Sequence, residues 1–343
     1  MDLASMTETA RALVTPGKGI LAADESTPTM QKRLAAVGLE STEVRRRAYR
    51  EILFTAKGID EFVSGVILFD ETIRQQAADG TPFPEVLSRQ GVIPGIKVDK
   101  GTSALAGCPG ELVTEGLDGL RARLAEYVTM GARFAKWRAV ISIGDGRPTT
   151  TCVESNAHAL ARYAALSQEA GLVPVIEPEV LMDGTHSLER CAEVTATTLR
   201  AVYGHLGSHR VVLGASLLKP NMVLAGKDCP DQASAEEIAE ATIAALKETV
   251  PPAVPGIVFL SGGQSDEEAT VRLDAMNRRG PAPWELSFSF GRALQAPVLR
   301  AWAGDDGRLH QAQAALLHRA AMNGAARHGS YRPDMEQLAA SRS

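Results

Sequence analysis

Three lysines lie inside short apolar runs, where a charged side chain needs an explanation. The chain has 36 lysines and arginines, only nine of them lysine, and Lys97, Lys136 and Lys219 fall within these runs. A buried ammonium group is costly unless it is paired or its pKa is lowered. A neutral lysine is a nucleophile towards carbonyl groups, and a second cation nearby favours that neutral form. We therefore predict that Lys219, with Lys136 as the neighbouring cation, forms a Schiff base with a keto substrate.

Carboxylates at the ends of similar runs supply the acid that imine formation needs. Addition of an amine to a ketone gives a carbinolamine, which loses water only when a general acid protonates its oxygen. Glu177 and Glu179 flank Pro178, and Asp24 ends the first apolar run. We expect the two glutamate side chains to point to opposite faces of a strand, so that only one of them faces the reaction site directly, unless Pro178 bends the chain. The other carboxylates are then available for further proton transfers.

A glycine-rich turn and an arginine late in the chain are typical of a phosphate site. Ser261-Gly262-Gly263 follows the seventh run, and Gly291-Arg292 follows the eighth. Glycine N–H groups can approach an oxyanion closely, and an arginine adds a bidentate partner. A Ser-Gly-Gly sequence is often only a turn between two elements. The prediction of a phosphate site therefore depends on its position opposite Arg292.

A second set of anion-binding side chains follows the first and third runs. Ser26, Thr29 and Arg33 come shortly after Asp24, and Lys97 ends the third run. They are placed to hold a second phosphate across the site. Two anion sites on either side of an amine predict a bisphosphorylated keto sugar.

Eight β-rich runs, separated by helical segments, must position these residues. The runs are Gly19–Asp24, Gly65–Asp70, Gly95–Asp99, Phe134–Arg138, Val173–Glu179, Val211–Lys219, Gly256–Ser261 and Leu286–Gly291. Apolar stripes at helical spacing lie between them, and Ser234–Glu237 and Ser265–Glu268 match the capping-box pattern. Eightfold alternation of strand and helix predicts a (β/α)8 TIM barrel, whose active site lies at the carboxyl ends of the strands. Charged strand ends such as Asp70 and Asp99 also occur simply where polar loops begin.

The barrel prediction covers the chain as one domain. We place the barrel strands at about 19–292, with helices and a short tail over 293–343 and an additional N-terminal helical segment. An open doubly wound sheet is the alternative, but it needs a glycine fingerprint after the first strand, and Ala22–Ser26 is not one.

Composition excludes several classes of protein. Hydrophobic residues make up 45% of the chain and charged residues 22%, with a net charge of −5. This composition is typical of a globular protein and favours neither nucleic acid nor an anionic membrane as a partner. The four cysteines lie far apart, and residues 1–15 carry charges unlike a signal peptide. We therefore expect a cytoplasmic protein with no membrane segment and no structural zinc.

The motifs together closely resemble the class I fructose-bisphosphate aldolase family along nearly the whole chain. The segments that carry the resemblance are Pro16–Thr27, Gly95–Gly101, Phe134–Arg138, Glu177–Glu179, Leu217–Met222, Phe259–Gln264 and Gly291–Gln295. Such a resemblance implies reversible cleavage of fructose 1,6-bisphosphate to dihydroxyacetone phosphate and glyceraldehyde 3-phosphate, in glycolysis and gluconeogenesis. It also implies a homotetramer that uses no metal and no other cofactor. The seven histidines agree, because none ends a predicted strand.

The resemblance also implies roles for individual residues. Lys219 forms the imine, Glu177 is the acid and base for its formation and hydrolysis, and Asp24, Lys136 and Glu179 assist proton transfer and C3–C4 cleavage. The C1 phosphate is held by one set of residues, namely Ser261, Gly262, Gly263, Ser289, Gly291 and Arg292. The rest of the substrate is held by a second set, namely Ser26, Arg33, Lys97 and Arg138.

Three positions depart from the family pattern. Thr29 stands where animal members have a serine, Phe290 replaces a tyrosine, and the tail Ser330–Ser343 lacks the C-terminal tyrosine implicated in proton exchange at the enamine. Tyr331 lies too close to the barrel to replace that tyrosine.

Two other functions remain open. Another Schiff-base lyase or a transaldolase has no need of two phosphate sites, so bisphosphorylated and unphosphorylated sugars distinguish it from the first hypothesis. A non-catalytic scaffold predicts that Lys219, Glu177 or Lys136 is replaced, and all three are present.

Overall fold

Eight parallel strands form a closed barrel in the computed structural model, which describes residues 2–340, with side chains as far as residue 337. The ten strands in chain order are β1 Gly19–Ala23, β2 Val63–Leu68, β3 Ile93–Lys97, β4 Thr102–Ala104, β5 Leu112–Thr114, β6 Phe134–Ile141, β7 Val173–Val180, β8 Leu217–Leu218, β9 Gly256–Phe259 and β10 Glu285–Phe290. The barrel order is β1-β10-β9-β8-β7-β6-β3-β2, while β4 and β5 form a separate antiparallel hairpin. The predicted TIM barrel is confirmed, and the hairpin is an addition to it.

Helices surround the barrel and extend it at both ends. They are α1 Leu3–Leu13, α2 Thr27–Ala35, α3 Glu43–Phe54, α4 Asp70–Ile73, α5 Phe83–Arg89, α6 Leu120–Thr129, α7 Thr150–Glu169, α8 Leu188–Ser208, α9 Ala235–Thr249, α10 Asp266–Arg278, α11 Arg292–Trp302, α12 Leu309–Arg327 and α13 Met335–Ala340. Both predicted capping boxes are confirmed at the starts of α9 and α10, where each serine and glutamate satisfy first-turn N–H groups reciprocally. None of the described helices is long and apolar enough to cross a membrane.

The amino ends of the strands are closed by the N-terminal helix. Met6, Ala10 and Leu13 of α1 are buried in the same apolar cluster as the Phe134 ring. Gly95 makes room for that ring, because a Cβ at this position would lie 2.3 Å from its Cζ atom. This packing fills the lower part of the barrel and leaves the carboxyl ends of the strands free for a polar site.

The predicted strand over Val211–Lys219 is wrong for most of its length. The chain there forms a 3-10 turn at Leu213–Ala215 and then only two strand residues. Gln168 of α7 explains the difference: its amide nitrogen donates to the carbonyls of Val212 and Ala215 at 2.9 and 3.0 Å. A helix side chain thus satisfies backbone groups that a neighbouring strand would otherwise pair.

Strand pairing carries the lysine of this segment to the barrel rim. The Lys219 N–H donates to the Ile176 carbonyl at 2.8 Å, one step beyond β8. The neighbouring β6 and β7 pair over eight residues, from Phe134 opposite Val173 to Ile141 opposite Val180. This is the longest strand pairing in the described barrel. It carries two cations and two carboxylates of the predicted site, namely Lys136, Arg138, Glu177 and Glu179.

The C-terminal segment packs on α12. Tyr331 is buried, and its hydroxyl donates to Glu336 Oε1 at 3.0 Å, so it takes part in anchoring this segment. The last tail residues of the sequence prediction, 341–343, lie outside the described part of the chain.

Candidate active site

All of the predicted site residues line one open cavity of about 740 Å³ at the carboxyl ends of the strands. Strand ends meet there because parallel strands of a barrel all point the same way. The residues brought together are Asp24, Ser26, Arg33, Lys97, Lys136, Arg138, Glu177, Glu179, Lys219, Ser261, Gly262, Gly263, Ser289, Gly291 and Arg292. Most of the residues that line the cavity are therefore charged or carry a hydroxyl group.

Lys219 points into this cavity and away from bulk solvent. Its side chain is 4% exposed, and its Nζ lies 3.4 Å from Glu177 Oε1. The amine is thus buried, with a carboxylate at nearly hydrogen-bonding distance. This is the geometry that a nucleophilic lysine and its proton-transfer partner require.

Lys136 lies between two carboxylates. Its Nζ is 2.7 Å from Asp24 Oδ2 and 3.0 Å from Glu177 Oε2. Burial would lower the pKa of Lys136, but these two carboxylates outweigh burial and hold it well above its ordinary value. Lys136 therefore stays cationic at neutral pH.

The pKa values of Asp24 and Glu177, the two carboxylates beside Lys136, are lowered. Burial would raise the pKa of Asp24 and of Glu177, but Lys136 and then Lys219 outweigh burial and hold both pKa values below the ordinary range. Glu177 therefore rests as a carboxylate between the two lysines. It is placed to accept a proton from one of them and return it later.

The expectation that only one of Glu177 and Glu179 faces the mouth is wrong. Residues two apart in a strand point to the same face, and both glutamates line the cavity. Glu179 forms an ion pair with Arg138 from the neighbouring strand. Pro178 has no need to bend the strand for this arrangement.

The loop after β9 and the start of α11 form one anion-binding end. Gly263 adopts a φ of +78°, a backbone conformation that favours glycine. A Cβ there would lie 1.8 Å from the sulfur of Met182, so the Met182 side chain would have to shift to admit one. The Ser289 hydroxyl is buried without a hydrogen-bond partner. Within the described residues Arg292 forms no ion pair, and the one hydrogen bond of its side chain is to the Gln264 carbonyl at 3.5 Å. These groups are available to an anionic ligand.

The other anion-binding end lies across the mouth. Ser26 and Thr29 have their hydroxyl oxygens 3.2 Å apart at the start of α2, and Arg33 lies one turn further along that helix. Lys97 projects from β3 with its Nζ 3.1 Å from Asp99 Oδ1. The hydroxyl of Thr29 thus lies beside that of Ser26 at this end of the cavity.

Sequence reasoning missed several residues of the cavity. Asp99 is more than a polar strand end, because it pairs with Lys97 and accepts the Arg138 N–H at 3.2 Å. Glu25 also lines the cavity, and its position next to Asp24 was the available signal. The remaining lining residues that were not predicted include Lys32, Thr102 and Asp183.

No metal-binding geometry accompanies these residues in the part of the chain that the structure describes. Over residues 2–340 there is no group of three or more histidines, cysteines, aspartates or glutamates placed to hold a metal ion.

The class-I fructose-bisphosphate aldolase family model matches residues 5–343. The chain belongs to this family. A probable fructose-bisphosphate aldolase class 1 of Xanthomonas axonopodis pv. citri is 58% identical over 333 residues, covering 97% of this chain and all of that protein. The cytosolic fructose-bisphosphate aldolase 5 of Arabidopsis thaliana is 57% identical over 325 residues, covering 94% of this chain and 90% of that one.

Solved structures of the family have the same fold. The fructose-bisphosphate aldolase of Plasmodium falciparum, in a ternary crystal structure with TRAP and a small-molecule inhibitor, superposes with a TM-score of 0.95. It is 48% identical, and the match covers 96% of this chain and 95% of that chain. This chain therefore has the fold of a solved structure from the family to which it belongs.

Proposed function

We propose that this protein reversibly cleaves fructose 1,6-bisphosphate to dihydroxyacetone phosphate and glyceraldehyde 3-phosphate through a Schiff base on Lys219. The observation that carries the proposal is the buried Lys219 amine 3.4 Å from Glu177, between two groups of anion-binding residues. Family membership supports the same reaction, and with it a place in glycolysis and gluconeogenesis.

Imine formation uses Glu177 twice. The carboxylate accepts the proton that the Lys219 ammonium must lose, and the free amine then adds to the C2 ketone. Glu177 next protonates the carbinolamine oxygen, which leaves as water and gives the protonated Schiff base. Ammonium and ketone thus become iminium and water, and Glu177 ends as the carboxylate it was.

Cleavage of the C3–C4 bond requires a base and an electron sink. A carboxylate at the mouth removes the proton of the C4 hydroxyl, the aldehyde leaves, and the bonding electrons pass into the iminium to give an enamine. Asp24 and Glu179 are the carboxylates we propose for this proton transfer, and Lys136 remains cationic beside the changing charge. Protonation at C3 and hydrolysis then release dihydroxyacetone phosphate and Lys219.

Arg292 is the residue we assign to the C1 phosphate, together with Ser289 and the glycine loop. Changing Arg292 to alanine is expected to raise KM for fructose 1,6-bisphosphate about 10- to 100-fold, because a charge-assisted bidentate contact is lost. The temperature of unfolding is expected to change little, since Arg292 forms no ion pair with any other described residue. Steady-state kinetics and a thermal melt check both parts, and an unchanged KM would contradict this assignment.

The proposed activity is tested with purified protein and fructose 1,6-bisphosphate in an assay coupled to reduction of dihydroxyacetone phosphate. We expect cleavage to persist in EDTA and unphosphorylated fructose to be a far poorer substrate. Loss of activity in EDTA, restored by a divalent metal, would contradict the Schiff-base route. Equal cleavage of both sugars would favour the transaldolase-like alternative.

A homotetramer and a cytoplasmic location are further proposals. The family resemblance suggests the first, and relatives named as cytosolic or cytoplasmic support the second. Light scattering on the purified protein tests the tetramer directly. We also propose that residues 1–343 act as one domain, with the site built from both halves of the barrel.

A further inference from the structure

A buried arginine behind the cavity wall contacts the residue that follows Asp24. Arg50 lies on α3, its side chain is 2% exposed, and its Nη2 is 2.7 Å from Glu25 Oε2. Arg50 itself does not line the cavity, whereas Glu25 does. A fully buried guanidinium so close to a substrate site needs a reason beyond packing, because burying a charge is costly.

The carboxylate of Glu25 is shared between two arginines and a glutamine. Arg33 of α2 forms an ion pair with Oε1 from the cavity side. The amide nitrogen of Gln295 donates to the same oxygen at 2.8 Å and to the Ala22 carbonyl at 2.7 Å. Arg50 also donates to Gln295 Oε1 at 3.3 Å, which orients that amide. One carboxylate therefore lies between a buried arginine and an arginine at the mouth.

The charges of this group do not cancel. Glu25 carries one negative charge, and the two guanidinium groups that flank it carry two positive charges. The guanidinium group of Arg50 is locked in place, while the side chain of Arg33 is 24% exposed at the cavity. The excess positive charge is thus presented on the side that faces the ligand.

We propose that Arg50 is a positioning residue for the second phosphate, acting through Glu25 on Arg33. With Arg50 present, Glu25 is already neutralised from behind, and Arg33 keeps its charge for an anionic ligand. Without Arg50, Arg33 becomes the sole cationic partner of Glu25, and the pair is neutral towards the ligand. The buried ion pair thus determines how strongly the mouth attracts the phosphate farther from the imine.

This inference rests on the proposed function and on Arg33 holding the second phosphate. It is tested by measuring KM for fructose 1,6-bisphosphate and for fructose 1-phosphate, which lacks that phosphate. In Arg50→Met we expect KM for the bisphosphate to rise about tenfold and KM for the monophosphate to change less than about threefold. A purely structural role would move both KM values together.

Two further variants keep the test decisive. Arg50→Lys keeps the neutralising charge although it loses the bond to Gln295 Oε1. If the charge is what matters, its KM for the bisphosphate stays within about threefold of the parent protein. Arg47→Met is the matched control, because Arg47 lies on the same helix and its one ion pair in the described part of the chain is with the partly exposed Glu51. Should Arg50→Met fail to fold, the lysine variant still tests the inference, because a tenfold rise in its KM for the bisphosphate would overturn it.

Three results would overturn the inference. They are equal KM changes for both sugars in Arg50→Met, no change for either sugar, or a tenfold KM rise for the bisphosphate in Arg50→Lys. A parent protein that cleaves neither sugar would instead overturn the proposed function, so the two failures are distinguishable.

Discussion

Replacing Lys219 with methionine is expected to lower kcat for fructose 1,6-bisphosphate by roughly 10⁴-fold or more, because no other group can form the covalent intermediate. Methionine keeps much of the length and volume of the side chain but has no amine. The fold should persist, since the one ion pair lost among the described residues is the contact at 3.4 Å with Glu177, which retains Lys136 at 3.0 Å. Steady-state kinetics on the purified variant measures the loss.

Reductive trapping shows whether the loss has the proposed cause. Dihydroxyacetone phosphate and borohydride should label the parent protein at Lys219, leave Lys219→Met unlabelled, and label the control Lys247→Met fully. Lys247 is an exposed lysine of α9, far from the strand ends that form the cavity. Stable labelling at any other lysine of the parent protein would contradict the assignment of the nucleophile.

Replacing Glu177 with glutamine is expected to lower kcat by roughly 10²- to 10⁴-fold, because the amide can neither take the lysine proton nor protonate the carbinolamine oxygen. KM should change little, since Glu177 is placed with the lysines rather than at either anion-binding end. Glu240→Gln is the matched control, an exposed glutamate that pairs with Arg279 on the surface. A large rise in KM at unchanged kcat would mean that Glu177 binds substrate instead of transferring protons.

Glu177→Gln should also change how the free energy of unfolding depends on pH. The pKa of Glu177 is lower in the folded protein than its ordinary value of 4.5, so ionised Glu177 stabilises the fold above that pH. This contribution is lost as the pH falls through the lower, folded-state pKa. Glu177→Gln should therefore lose less stability between about pH 5 and pH 3 than the parent protein. Denaturant unfolding curves across this range check the prediction, and identical pH dependence would contradict it.

Local sequence patterns were enough to predict most of the barrel. Seven of the eight predicted β-rich runs overlap full barrel strands, because each run combines apolar residues with bounding turn residues that act locally. The remaining run, Val211–Lys219, forms a strand only at Leu217–Leu218, because the partner that replaced strand pairing before it is Gln168, far away in sequence. The capping boxes at Ser234 and Ser265 were readable because each involves residues only three apart.

The sequence by itself determined which chemical groups the site contains. The sequence shows lysines within apolar runs, where a charged residue is unusual. It also shows carboxylates and a glycine-rich turn at the ends of such runs, so these groups can be found without coordinates. Only the tertiary structure decided which group contacts which. Lys136 lies between Asp24 and Glu177, and Arg50 lies behind Glu25, because separate strands and helices converge there. Contacts between distant segments depend on packing, and no spacing along the chain records them.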